Sequence, residues 1–485
     1  MRIVTLARPF CVGALVVTSS IALNSTYPAS NPAAASEMAP CTTTARPGDD
    51  LAATLEALPN GSTLCLEDGI YRVPSPLRPK ENTTIRGSRQ ARLSGAIPVD
   101  RWRPAADGLW YADGFLPGDY TDYAPCEDET ANLCNKRERL FVGERKLQPV
   151  RQLSDVKRGA YYADYARNRI WVSGYSSRNV YEIARAEAAI QSNAPRVTLE
   201  GFTVERFATT PQRAAVMAEG NAWVVRGLRV QHNHAKGIGV NRGAGVLLER
   251  NVVERNGQLG IGAWLASELQ VKGNQVTGNN TDGFWRHDWE SGGIKLFESS
   301  GSISRNTVSS NNGIGVWGDY EANGVTIANN LIDGNASDGI RFEISRGATI
   351  RGNRITNNGH GIGRGLNNGS PWVTAGLVLS TSERVEVTGN HLAGNKHTVS
   401  IQNRDRGQGK NGPFVARDIL LQRNTFQLRT LEHSMIAVVG AWPSLSESTV
   451  TFRDNTYLWA SNNEYPFEVP GGWMTRAMWA AAGMS

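Results

Sequence analysis

The sequence predicts an all-β solenoid, a parallel β-helix with one coil per repeat. Two observations carry that prediction. First, segments of one form recur: VLLERNVVERN, LQVKGNQVTGN, GSISRNTVSSN, VTIANNLIDGN, ATIRGNRITNN and VEVTGNHLAGN. Their first Asn falls at 251, 274, 306, 330, 353 and 390, with weaker copies at 424 and 455, and the shortest spacings are 23 and 24 residues. Second, the units also carry a five-residue alternation: GIGVN from Gly237, GIGAW from Gly260, GIKLF from Gly293, GIGVW from Gly313, GIRFE from Gly339 and GLVLS from Gly376. A period of two marks strands, and a repeat of this length means a solenoid or a propeller. Four-stranded propeller blades need about 40 residues or more, and leucine-rich repeats need Leu at fixed offsets. The coil reading is what remains.

The elements follow in chain order. Phe10 to Leu23 is an apolar run behind Arg2 and Arg8, too short for a membrane span, and Ala33-Ala34-Ala35 offers a cleavage site. Residues 1–35 are therefore expected to be a signal peptide, with secretion of a mature chain that has no membrane span. Removing two Arg leaves 49 basic against 45 acidic residues, a net +4. That mild, scattered charge gives no argument for nucleic acid. Residues 36–100 read as an N-terminal cap, with a short helix at Leu51 to Leu58, and the first coils. Residues 101–195 break the pattern with Trp102, Trp110 and several Tyr, and read as a β-rich insertion with its own core. Residues 196–460 are the coils proper. Residues 461–485 close the far end with a short helix in TRAMWAAAG. Cys11 leaves with the signal. Four cysteines remain, and local pairing, Cys41 with Cys65 and Cys126 with Cys134, closes the shortest loops.

Stacked coils would set each Asn over the next, about 4.8 Å away. Amide side chains can then bond along the ladder, and Asn tolerates left-handed backbone at the turns. The recurring Asn are thus structural. The run of coils ending xxIxxNxVxxNxxxGIxV, from about residue 197 to 455, resembles the secreted right-handed parallel β-helix proteins of the pectate-lyase-like superfamily, its carbohydrate-active members in particular. The resemblance implies right-handed coils, a capping helix at the N-terminal end and a polysaccharide or oligosaccharide partner. It leaves the reaction open, because lyases, hydrolases, epimerases and adhesin or phage shafts share the architecture.

Alternation within Gly-Ile-x-Val-x puts the third and fifth positions on the outer face. The third-position column reads Gly239, Gly262, Lys295, Gly315, Arg341, Val378, and the fifth reads Asn241, Trp264, Phe297, Trp317, Glu343, Ser380. Inserted segments, TDGFWRHDWESG, GHGIGRGLNNGSPWVTA and NRDRGQGKNGPFVA, flank this face and would wall a cleft. Trp264, Phe297 and Trp317 are expected to stack on sugar rings. Trp285, Arg286 and His287 of the first insertion are expected to add to the wall. Asp319 and Glu343 are the expected carboxyl pair of a glycoside hydrolase, with Glu290 and Glu298 as alternatives and Arg341 beside Glu343. On this alignment Asp319 and Glu343 sit one coil and two positions apart, about 8 Å between backbones, within the inverting range of about 6.5–9.5 Å. The competing chemistry is proton abstraction from a uronate by Lys295 or Arg341, in a lyase or an epimerase. No metal or other cofactor is expected for hydrolysis; calcium enters only with elimination, and the acids form no clean cluster for it. A non-catalytic adhesin would show a regular polar face, which the Trp-rich strip argues against. A monomer is expected.

Overall fold

The structure is a computed structural model that describes residues 40–118, 124–287, 289–361, 374–428, 435–440, 450–459 and 464–484. The expected signal peptide and most of the insertion after Gly359 lie outside the described residues.

Each coil contributes three strands. In one coil these are Leu247–Glu249, Val252–Glu254 and Leu259–Trp264; in the next, Leu269–Lys272, Gln275–Thr277 and Gly292–Phe297. Like strands pair in parallel, Val253 with Val276 and Ile261 with Ile294 for example. Three long sheets result, of 13, 12 and 12 strands among the described residues. The inward positions form a continuous column of Val, Ile, Leu and Phe. Ile261, Ile294, Val316, Ile340 and Leu377 from the third sheet face Val276, Val308, Ile332 and Ile355 from the second. Burying each such side chain contributes about 1.5–3 kcal/mol, which makes the periodic apolar residues the main source of the fold's stability.

The Asn ladders do what stacking predicts. Asn274 Nδ2 donates to Asn306 Oδ1 (2.9 Å), Asn306 to Asn330 (3.0 Å) and Asn330 to Asn353 (2.9 Å), each also donating from its backbone N–H to the same oxygen. A second ladder runs through Asn256, Asn279, Asn311, Asn335 and Asn358. The left-handed backbone is found one residue earlier than expected. It falls on Arg250, Gly273, Arg305, Asn329 and Gly352, each just before a ladder Asn. The ladder Asn itself turns inward and spends its amide on the neighbouring coil.

Helix Leu51–Ala57, capped by Asp50 and burying Leu51 and Leu55, covers one end. Helix Arg476–Ala481 covers the other with Trp479, which stacks on Phe467 at 4.3 Å between ring centroids. Two smaller sheets, built from strands between Ala96–Pro98 and Tyr181–Ala184, have a core of their own around Leu140, Tyr161, Ile170 and Ile183. Both locally paired disulfides form, Cys41–Cys65 and Cys126–Cys134. No helix among the described residues is long and apolar enough to cross a membrane.

Candidate active site

The outer face of the third sheet carries the site, and its register corrects one alignment. Lys295 pairs with Trp317, and Trp317 with Arg341; Phe297 pairs with Asp319. The pairing of Gly318 with Phe342 then sets Asp319 beside Glu343. The columns therefore read Gly262, Lys295, Trp317, Arg341, Val378 and Trp264, Phe297, Asp319, Glu343, Ser380. Gly313 had been matched to Gly293, but Gly315 is its partner. Gly260, Gly293, Gly315 and Gly339 stack so closely that a Cβ on each of the first three would lie 2.4–2.9 Å from the next glycine's carbonyl oxygen. Asp319 and Glu343 are consequently adjacent, with backbones about 4.8 Å apart and not about 8 Å.

A cavity of about 370 Å³ lies over this face, lined by Asp319, Glu343, Lys295, Arg341, Trp317 and Phe297 together with Trp289, Glu290, Tyr320, Thr374 and Arg406. The outward side chains do not meet open water. Glu343, Trp317 and Arg341 are 4%, 4% and 6% exposed, because residues of the inserted segments roof them. Trp317 is thus not the open stacking platform expected of it. Its ring packs against Lys295, whose Nζ is 3.6 Å from the ring centroid, with Arg341 at 5.6 Å. Trp264 alone of the three expected platforms is largely open, at 43%. Phe297 is half-buried and stacks on Tyr320 at 5.3 Å.

The charged groups fall into two sets. Lys295 Nζ binds Glu290 directly and lies 2.7 Å from Asp319 Oδ2. Both carboxylates hold the Lys295 ammonium above its ordinary value against the opposing effect of burial. Glu290 is held low by Lys295 and Lys236 although burial opposes them. Burial pushes the Asp319 carboxyl up, the charge on Glu343 adds to that, and Lys295 opposes. In the second set, Glu343 is bracketed by Arg406 at 3.2 Å and Arg341 at 3.8 Å. Arg341 belongs mainly to Asp338, which accepts from its Nε at 2.7 Å.

Three predicted wall residues are placed elsewhere. Trp285 is fully buried against the Cys126–Cys134 loop and Phe284. His287 bonds Asn312 Oδ1 at 2.9 Å and faces Glu127, and Arg286 is exposed. None of the three lines the cavity. They fasten the insertion, and so position Trp289 and Glu290, because an inserted loop must find its own packing before it can present a side chain. Glu298 lies off the cavity too, bound by Lys410.

Sequence reasoning missed Arg406, Asp338, Tyr320 and Lys236. Lys236 immediately precedes the Gly of GIGVN, outside the five residues compared. Counting from the ladder Asn would have exposed the misregister: nine residues separate Asn251 from Gly260 and Asn330 from Gly339, and nine from Asn306 reaches Gly315.

A family model described as a right handed beta helix region matches residues 214–392. A solved structure titled as the complex of XylC with xylose superposes with a TM-score of 0.63 at 13% identity, over 86% of this chain and 83% of that one. The fold is a right-handed parallel β-helix. The alginate epimerase AlgG, titled as periplasmic, gives a TM-score of 0.45 at 13% identity, over 86% of this chain and 83% of its own. The Azotobacter vinelandii mannuronan C-5 epimerase AlgE4 A-module gives 0.44 at 13% identity, over 84% and 93%. No curated protein sequence matches the chain.

Proposed function

We propose that this β-helix is a carbohydrate-active enzyme, a glycoside hydrolase whose carboxyl pair is Asp319 and Glu343. The observation that carries the reading is their placement: adjacent coils, one outward column, one cavity, and contrasting surroundings. Asp319, pushed toward its protonated form by burial and by Glu343, is the acid that protonates the leaving oxygen. Glu343, between two guanidinium groups, is the carboxylate that meets the anomeric carbon. Such paired environments are how one site holds an acid and a base together. Trp264 and Phe297 extend the groove along the axis, where a sugar ring can stack. The neighbour XylC is titled as binding xylose, which agrees with a glycan ligand. The two disulfides suit an exported, oxidising location.

Elimination is less well supported. Lys295 keeps its proton because the Glu290 carboxylate binds it directly, and a protonated amine is no base.

The test assays the purified chain, Glu343→Gln and Asp319→Asn on a glycan panel, reading reducing ends and absorbance of unsaturated uronate. We expect reducing ends without the absorbance, and a loss of about 10²–10⁴-fold in either variant with the fold intact by circular dichroism. Full activity in Glu343→Gln removes the pair from the site; new absorbance moves the assignment to elimination.

A further inference from the structure

We propose that a second cavity, one coil further toward the N-terminus, is a subsite for a sugar ring bearing an anionic group, a carboxylate or a sulfate, that Lys236 holds while the ring lies against Trp264. The inference rests on the glycan reading of the main groove and deepens it.

This cavity, of about 260 Å³, shares Glu290, Lys295 and Phe297 with the first and adds Gln212, Lys236 and Trp264. Its floor is Gly262. A Cβ there would stand 3.1 Å from Lys236 Cδ and 3.4 Å from its Nζ, so the missing side chain lets the lysine lie across the sheet to the cavity wall. The negative charge around it is unevenly shared. Glu290 gives one oxygen directly to Lys295, and its other oxygen is 3.9 Å from Lys236 Nζ. Lys295 takes Glu290 directly and has Asp319 at 2.7 Å as well, whereas Lys236 has only the far oxygen of Glu290 and is the one at arm's length. Its side chain is 13% exposed, and burial, with repulsion from Lys295 and Arg213, lowers it to about 8. A buried cation short of an anion is costly unless a ligand supplies one. A ring hydroxyl would supply only a neutral acceptor, whereas a carboxylate or sulfate oxygen makes a charge-assisted bond about twice as strong. Trp264 offers the open aromatic surface beside it, with Arg242 lying 4.6 Å from its ring centroid as a further outer cation.

Calorimetric titration of the purified chain at pH 7 with D-glucuronate, D-glucose 6-sulfate and D-glucose tests this. At least one anion should bind about tenfold more tightly than glucose, and comparison of the two anions tells carboxylate from sulfate. The preference should vanish in Lys236→Met, persist in Lys236→Arg, and fade as pH rises past about 8. Equal affinity for all three sugars, no binding of any, a preference surviving in the Met variant, or its loss in the Arg variant overturns the subsite. The readout is binding, so it is independent of turnover. Unchanged activity in Glu343→Gln would remove the hydrolase assignment and leave this preference standing.

Discussion

Three residues define what the groove can do. Asp319 is raised by burial and by Glu343, so as the acid it must lose its proton before activity fails. The pH profile of kcat/KM should therefore have an alkaline limb above the ordinary aspartate range of about 3.9; a profile flat from pH 4 upward would remove Asp319 from the acid role. Lys236 carries a different signature. Its folded value, about 8, lies below its unfolded one, so the stability linked to it is present at high pH and lost as pH falls through about 8. At pH 7 the folded chain carries that penalty in full. Lys236→Met should accordingly stabilise the protein at pH 7 by up to about 3 kcal/mol, seen as a higher Tm, and the gain should shrink toward pH 10. Glu343 needs both guanidinium partners. Of these Arg341 was visible from alternation, two positions along the same strand, whereas Arg406 comes from a loop about 60 residues later in sequence, where no local pattern points to it.

At the scale of elements, the segment around Arg406 is clamped. Arg346 Nη2 donates to the carbonyls of Gly412 (2.8 Å) and Pro413 (3.1 Å), and Glu321 accepts from Asn411 Nδ2 at 2.9 Å. Gly409 sits so near the clamp that a Cβ would fall 1.8 Å from Glu321 Oε1 and 2.5 Å from Phe414 Cζ. Gly409→Val should lift this loop and with it Arg406, lowering kcat about tenfold with little change in Tm. Undisturbed turnover would show that the loop does not position Glu343. The ladders are the opposite case, elements that serve stability alone. Asn330→Ala strands the backbone N–H of Asn306 and the carbonyl of Ile303 that Asn330 now serves. It should cost about 2–4 kcal/mol, measured by denaturant unfolding. Ladder positions and the inward and outward alternation of the strands were legible because each coil repeats one local pattern against the same kind of neighbour. The slip at Gly313 arose because GIGVW imitates GIGAW in letters while the chain counts from Asn306. The roofing of the groove was not legible, since loop packing depends on contacts such as that of Trp285 with the Cys126–Cys134 loop, far apart in sequence.

At the scale of the whole molecule, the strands of a coil pair only with those of its neighbours, so stability propagates along the axis and the ends matter most. Trp479 closes one end, stacked on Phe467 and edge-on to Phe452 at 4.9 Å. Trp479→Ala should cost about 3–5 kcal/mol and quicken amide exchange in the last coils before those around Ile294; uniform exchange throughout would argue that the rod melts as one. Strand geometry also says how such a rod can change its trade. A strand repeats every two residues, so adding or removing a pair of residues at a corner slides the outer side chains by about 6.6 Å and leaves every inner one inside. An odd number would turn the strand inside out. Even-numbered steps are therefore a safe dial for relocating a carboxylate or an aromatic ring.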